Sequence, residues 1–300
     1  MSKRSFLYCH PGALGDFILS WPVLAAMRDI FPEHEFIGIG RYPYLELARK
    51  LKLIDSIHDL DARYLIDFFS GKQLPSELGK PEGGIIWMSD PSEIKKILEP
   101  ITSQPILSLN PKPEISCHIT QYYLRQIQNH YRFTISPQVI PLPQLSFPRP
   151  DPDLIIIHPG SGSPEKNYSP HFYVSLSDFL GKMGFGKIKI ILGPVEIDCR
   201  RQKDFKDTAI IISENLDQFL EILKKTILFI GNDSGASHLA AILGVPTIAI
   251  YKSTDPLVWG MIGKEVQLIS ENSEEQALMT IKCFIESMQI SRVPEGFPHL

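Results

Sequence analysis

The sequence has little to offer a metal or a disulfide framework. It holds four cysteines, Cys9, Cys117, Cys199 and Cys283, scattered without CxxC spacing, so each reads as a small buried hydrophobe in a reducing cytoplasmic interior. A basic excess is missing too: 30 Lys and Arg stand against 34 Asp and Glu, for a net charge of −4, which argues against a duplex nucleic-acid binder. No apolar run approaches the length of a membrane span. The opening MSKRSFLYCHPG is cut off by Pro11 and Gly12 before it could form the apolar core of a signal peptide. No GxGxxG follows a strand-like run and no Walker lysine loop is present, so the dinucleotide and P-loop readings lack their fingerprints. No GxSxG elbow carries a Ser-His-Asp order, and no DxD-like pair stands at a strand end.

The chain does carry an α/β alternation. Apolar, β-branched runs are expected as buried parallel strands at Ser5–His10, Glu35–Gly40, Gly84–Met88, Leu154–His158, Lys187–Leu192, Ile227–Ile230 and Thr247–Tyr251. Helical periodicity covers Phe17–Phe31, with Pro22 near its start, then Tyr44–Leu53, Ile119–Tyr131, Pro170–Met183, Ala236–Leu243 and Glu274–Gln289. Such alternation predicts parallel sheets with helices on both faces. The stretch 136–153 holds Pro137, Pro141, Pro143, Pro148, Pro150 and Pro152, a density that marks an interdomain linker. We expect an N-terminal Rossmann-like domain at 1–140, a proline-rich linker at 141–152 and a C-terminal Rossmann-like domain at 153–300, with the terminal helix able to pack back on the first domain. His10-Pro11-Gly12 and His158-Pro159-Gly160 close the first strand of each half, an echo that fits two similar domains whose first loops face a shared cleft.

The compact unit Ile227–Tyr251 reads strand, turn, helix, strand, with turn chemistry at Gly231-Asn232-Asp233-Ser234-Gly235. Ligands bind at the carboxyl edge of an open α/β sheet. Gly235 permits close approach, and the following helix offers unpaired N–H groups, so the unit suits a phosphate or diphosphate. Ser161-Gly162-Ser163 adds hydroxyls and amides, and Lys166 could neutralise an anion, although a solvated surface lysine is its ordinary fate. Glu196 and Asp16 each read either as a first-turn helix acid or as a cleft carboxylate. Asp233 suits a cap or a hydrogen bond from a ligand hydroxyl. His238 is either a buried helix histidine or a ligand contact. His10, His158 and His238 make no metal set, since His10 belongs to the other domain.

Three blocks together resemble glycosyltransferase family 9, the lipopolysaccharide heptosyltransferases: HPGALGDFILSWPVLAAMRDIFP, IIIHPGSGSPEKNYSPHFYVSL and IGNDSGASHLAAILGVPTIAIYKSTDPLVWG. They occur in that family's order and span nearly the whole chain. The resemblance implies a GT-B fold of two Rossmann-like domains facing across a cleft, with an acceptor on the first and an ADP-sugar on the second. It implies inverting, metal-independent hexosyl or heptosyl transfer with no cofactor beyond the ADP-sugar donor. Carried over by position, Asp16 falls on the catalytic base. Ser161, Gly162, Ser234 and Gly235 fall on diphosphate positions, Lys166 on a phosphate or donor-sugar contact, and Glu196 on the ribose-binding acid. Asp233 falls on an acid near the donor sugar and His238 on the helix whose amino end faces the diphosphate. Gly12, Gly15, Arg41 and Arg63 fall on the acceptor side. Where the family usually has Lys-Arg-Trp, this chain has Lys166-Asn167-Tyr168. The implied partners are a nucleotide-sugar and a glycan or glycolipid acceptor, with peripheral contact at the inner face of the cytoplasmic membrane and no nucleic acid. The rivals are a different nucleotide-sugar or a non-lipopolysaccharide acceptor within the family, a nucleotide-sugar epimerase, and a silent nucleotide-sugar-binding protein.

Overall fold

The computed structural model describes residues 4–132, 145, 147–149, 152–206, 208–271 and 273–290. Most of the expected linker at 141–152 therefore lies outside the described residues. The chain divides into two compact units, Met1–Ser146 and Phe147–Leu300, each built on one parallel sheet.

In the first unit the elements run β1 (Ser5–His10), α1 (Leu14–Leu19), α2 (Trp21–Ile30), β2 (Glu35–Gly40), α3 (Tyr42–Lys50), β3 (Ser56–Asp59), α4 (Ile66–Phe69), β4 (Gly83–Trp87), α5 (Ser92–Leu98), β5 (Ile106–Leu109) and α6 (Ile119–Tyr131). The strand order is β3-β2-β1-β4-β5, all parallel. The order reverses between β1 and β4, and that switch point leaves a crevice at the carboxyl ends of the two strands. The loop that opens there, residues 11–13, leads into the first turn of α1, which carries Asp16.

One long helix expected over Phe17–Phe31 is instead two. Ser20 breaks it, donating its hydroxyl to Phe17 O at 2.5 Å and meeting the Tyr8 hydroxyl, while Thr120 of α6 donates to Leu19 O at 2.7 Å. Pro22 is then the second residue of a new helix, where its missing N–H costs nothing. The helix expected at Tyr44–Leu53 starts two residues earlier, and Lys52, at φ 60°, lies just past its end.

In the second unit the elements are β6 (Leu154–His158), α7 (Pro170–Lys182), β7 (Ile188–Leu192), α8 (Pro194–Asp198), β8 (Ile210–Ile212), α9 (Leu216–Lys224), β9 (Thr226–Asn232), α10 (Gly235–Ile242), β10 (Thr247–Tyr251), α11 (Pro256–Trp259), β11 (Val266–Ser270) and α12 (Glu274–Ile290). The order is β11-β10-β9-β6-β7-β8, again parallel, and here the reversal falls between β6 and β9. The core fills with Ile155, Ile157, Ile190, Leu192, Ile230, Ile248 and Ile250 from the strands, and with Phe172, Tyr173, Leu176 and Leu180 from α7. These strand positions alternate and cover one face, and the intervening Ile156, Ile191, Phe229 and Ala249 are buried as well, which gives the continuous apolar runs that a sheet buried on both faces demands. The terminal helix α12 buries Ala277, Ile281 and Ile285 in this same core. The segment between β10 and β11 contains the short α11, which Asp255 caps by accepting Leu257 N–H at 2.8 Å. No described helix is long and apolar enough to cross a membrane.

Candidate functional site

Each sheet gathers its expected site residues along its carboxyl edge. In the first unit, β3, β2 and β1 lie side by side, so the segments after them bring Arg63, Arg41 and the Gly12–Asp16 loop to one edge. Gly12 has a steric reason to be glycine: a Cβ there would stand 2.8 Å from the His10 ring. His10 is buried against Tyr8, Phe17 and Trp87, and burial pulls its imidazole down to about 3, so it stays neutral. Gly15 and Asp16 are the second and third residues of α1, and both are half-buried. The Asp16 charge reaches Tyr123 of α6, whose phenol is pushed up first by burial and then by that carboxylate. Tyr44 of α3 stacks on Phe17, with ring centroids 6.4 Å apart. Arg41 and Arg63 are exposed.

In the second unit the loops after β6 and β9 straddle the switch point. Ser161 is buried, and its hydroxyl donates to Ser163 O at 2.6 Å. Gly162 is exposed, with open space where a side chain would stand. Lys166 extends to Asp233, with Nζ 2.5 Å from Oδ2, and His238 Nε2 lies 3.3 Å from Oδ1. Burial alone would push the Asp233 carboxyl up. The hydrogen bonds and charges of His238 and Lys166 outweigh it and bring the carboxyl down to about 2. A depressed carboxyl contributes its stability above the ordinary carboxylate range and loses it as pH falls through the folded value, so this contact persists well into acid. Ser234 caps α10 by accepting Ser237 N–H, and Gly235 is the first helical residue, where backbone N–H groups have no partner within the helix. Asp233 is thus fixed by its neighbours beside an amino end that would attract an anion.

Glu196 is the third residue of α8 and is buried. Its Oε2 accepts Gly193 N–H at 2.8 Å and lies 3.8 Å from His158 Nε2. Burial raises the Glu196 carboxyl, but His158 and the backbone amides lower it further, for a net downward shift. The ordinary reading of Glu196 as a first-turn acid describes one of its oxygens; the other, Oε1, lies against Gly160.

Four residues at this edge take structural roles that the sequence did not assign to them. Asn232, fully buried, ends β9 two residues into the expected turn. Its amide nitrogen donates to Pro159 O at 3.0 Å and to Asn167 Oδ1 at 2.9 Å, and its amide oxygen accepts from Tyr173 at 2.8 Å. His158 flanks Glu196. Gly160 leaves room for that carboxylate, since a Cβ there would meet Oε1 at 1.9 Å. Lys252, just beyond β10, donates to Asn167 O at 2.9 Å and lies 5.4 Å from the Tyr168 ring centroid. In the sequence Asn232 stands as a turn residue and His158-Pro159-Gly160 as an echo of His10-Pro11-Gly12, and Lys252 has no signal beyond its place after an apolar strand. Among the described residues no group of three His, Cys, Asp or Glu side chains could hold a metal ion.

The sequence model of glycosyltransferase family 9 (heptosyltransferase) matches residues 116–288, more than half of the chain and all of the second unit's site loops. Among solved structures the chain is similar to a family 9 glycosyl transferase from Veillonella parvula, with TM-score 0.71, 17% identity, and coverage of 94% of this chain and 92% of that one. It is also similar to E. coli heptosyltransferase WaaC with ADP, with TM-score 0.72, 14% identity and coverage of 94% and 99%. E. coli ADP-heptose lps heptosyltransferase II gives TM-score 0.72, 12% identity and coverage of 95% and 99%. Both E. coli structures share the GT-B class seen here, two parallel-sheet α/β units. No curated protein sequence matches.

Proposed function

The chain belongs to glycosyltransferase family 9, and on that premise we propose that it moves a sugar, a heptose, from an ADP-sugar to a hydroxyl of a lipopolysaccharide-core or related glycan. Transfer proceeds with inversion and without a metal. The observation that carries the donor half is the 2.5 Å contact of Lys166 with Asp233. It fixes a cation from the loop after β6 beside the amino end of α10. A solved relative that carries ADP supports the choice of nucleotide.

In this mechanism the acceptor oxygen attacks the anomeric carbon from the face opposite the diphosphate. The bond from that carbon to the diphosphate oxygen breaks, and ADP leaves with the electron pair. Amides at the start of α10, the Ser161–Gly162 loop and Lys166 stabilise the growing negative charge, the kind of preorganised help that is often the largest catalytic contribution. Glu196 accepts hydrogen bonds from the ribose through Oε1, Asp233 holds Lys166 and meets the donor sugar, and His238 steadies Asp233. Asp16 takes the proton of the acceptor hydroxyl, and Gly12, Gly15, Arg41 and Arg63 line the acceptor's side. A glycolipid acceptor would bring the protein to the inner face of the cytoplasmic membrane as a peripheral visitor.

A general base is worth roughly 10²–10⁴-fold. Asp16→Asn is therefore expected to cut turnover by that factor while calorimetry shows unchanged ADP affinity. Unchanged turnover would remove Asp16 from the mechanism. Native mass spectrometry against ADP-, GDP-, UDP- and CMP-sugars tests the donor, and selective retention of another nucleotide would overturn the ADP assignment.

A further inference from the structure

Lys166 is not a free charge. Its ammonium is matched by Asp233, and Glu196 adds another carboxylate at the same edge, held in its charged form. Asp233 lies on Lys166 and Glu196 beside His158, so Lys252 is the lysine at this edge that no carboxylate has already claimed. Among the described residues no carboxylate pairs with it. The nearest acid in sequence, Asp255, instead caps α11 by accepting Leu257 N–H.

The strand order says where this ammonium lies. Lys252 follows β10, and the carbonyl it reaches belongs to Asn167, in the loop after β6. Between β10 and β6 stands β9. The side chain therefore reaches across the end of β9, where Asp233 and Ser234 lead into α10. Two further bonds fix the far side of that reach: Asn167 Oδ1 is held by Asn232, the last residue of β9, and Asp233 N donates to Ile250 O of β10 at 2.9 Å. The Tyr168 ring supports the ammonium from one side, an arrangement that keeps a lysine charged and in place. The Nζ makes one hydrogen bond within the protein and the residue is exposed, which leaves the remaining two donors of an ammonium available.

We propose that Lys252 is a second diphosphate-binding residue, the one that offers the donor's leaving group a positive charge not already paired with a carboxylate. This rests on the donor reading above for the presence of a diphosphate, though not for the identity of the base. The rival is a purely structural strap, in which Lys252 only ties the Asn167 loop to β10.

Lys252→Met separates the two, because it keeps an apolar stem over Tyr168 and removes only the charge. Wild type, Lys252→Met and Lys252→Arg are titrated calorimetrically with inorganic diphosphate, ADP and adenosine, each at low and high salt. The loss of one charge-assisted contact is expected to weaken diphosphate and ADP about tenfold in the Met variant. Adenosine affinity should stay at the wild-type value, the salt dependence of ADP binding should flatten, and the Arg variant should recover most of the loss. Equal affinity for diphosphate in wild type and Lys252→Met overturns the proposal. So does an equal loss for ADP and adenosine, which is the signature of a strap, and so does wild-type protein that binds no diphosphate. A wild type that prefers GDP, UDP or CDP over ADP would sink the nucleotide assignment alone. The matching nucleoside then replaces adenosine, and the diphosphate arm still decides Lys252.

Discussion

The two oxygens of Glu196 have different surroundings. Oε2 is taken by Gly193 N–H and faces His158, whereas Oε1 lies against the backbone of Gly160. Residue 160 must therefore lack a side chain for the carboxylate to sit where it does. Gly160→Ala would put a Cβ 1.9 Å from Oε1, so the carboxylate would have to swing away and abandon the Gly193 amide. Leaving a buried donor unpaired costs about 1–3 kcal/mol. The variant is expected to lose that much stability in urea unfolding and to bind ADP more weakly, because the proposed ribose contact moves with the carboxylate. Wild-type stability with wild-type affinity would refute this account. From sequence, Glu196 was legible as an acid one turn into a helix. Its dependence on Gly160 and its contact with His158 were not, since both arise only when the loops after β6 and β7 meet at the sheet edge.

Strand β9 is organised by its last residue. Asn232 bonds the loop after β6 in two places and anchors Tyr173 of α7, and its own carbonyl accepts the Ser237 hydroxyl at 2.6 Å. A single buried residue thus joins β9 to the loop after β6 and to helices α7 and α10. Asn232→Leu would leave several of these groups unpaired in a closed environment. A loss of about 2–4 kcal/mol is expected, with hydrogen exchange in residues 159–167 rising before exchange in α12 does. Uniform protection across these segments would show that the loop is held by something else. The α/β alternation was readable because strands buried on both faces must be apolar throughout, as Ile155–Ile157 and Phe229–Ile230 are. The helix expected across Phe17–Phe31 failed for a local reason: apolar spacing continues through Ser20, but the Ser20 hydroxyl competes for the Phe17 carbonyl and meets Tyr8, while Thr120 of α6 donates to the Leu19 carbonyl. Periodicity carries no trace of such a side-chain bond. The turn expected to begin at Gly231 starts later for a similar reason, since the polar Asn232 finds all its partners inside.

The second unit is also tied together at the edge opposite the loops proposed to hold the donor. Arg149, in the proline-rich stretch, donates Nη1 to Thr226 O at 2.9 Å and Nη2 to Gly244 O at 2.8 Å. Thr226 begins β9, and Gly244, at φ 77°, ends the turn after α10. One planar guanidinium therefore clamps the start of the strand that leads to the site to the end of the helix that leaves it. Proline content marks this stretch as a connection between domains and gives no hint of that clamp, which depends on fork geometry that lysine lacks. Removing it leaves two carbonyls without their charged donor. Arg149→Ala is expected to cost about 1.5–3 kcal/mol, and because a two-unit chain need not unfold in one step, the loss should be read segment by segment. Hydrogen exchange should accelerate in β9 and α10 and stay unchanged in α6, with ADP affinity of the folded protein preserved because no clamp atom lies at the donor edge. Arg149→Lys should recover no more than part of the protection, since an ammonium lacks the fork that spans both carbonyls. Full protection of β9 in Arg149→Ala would mean that the strand and helix hold each other without it, and equal acceleration in α6 would mean that the arginine acts on the whole chain rather than on the second unit.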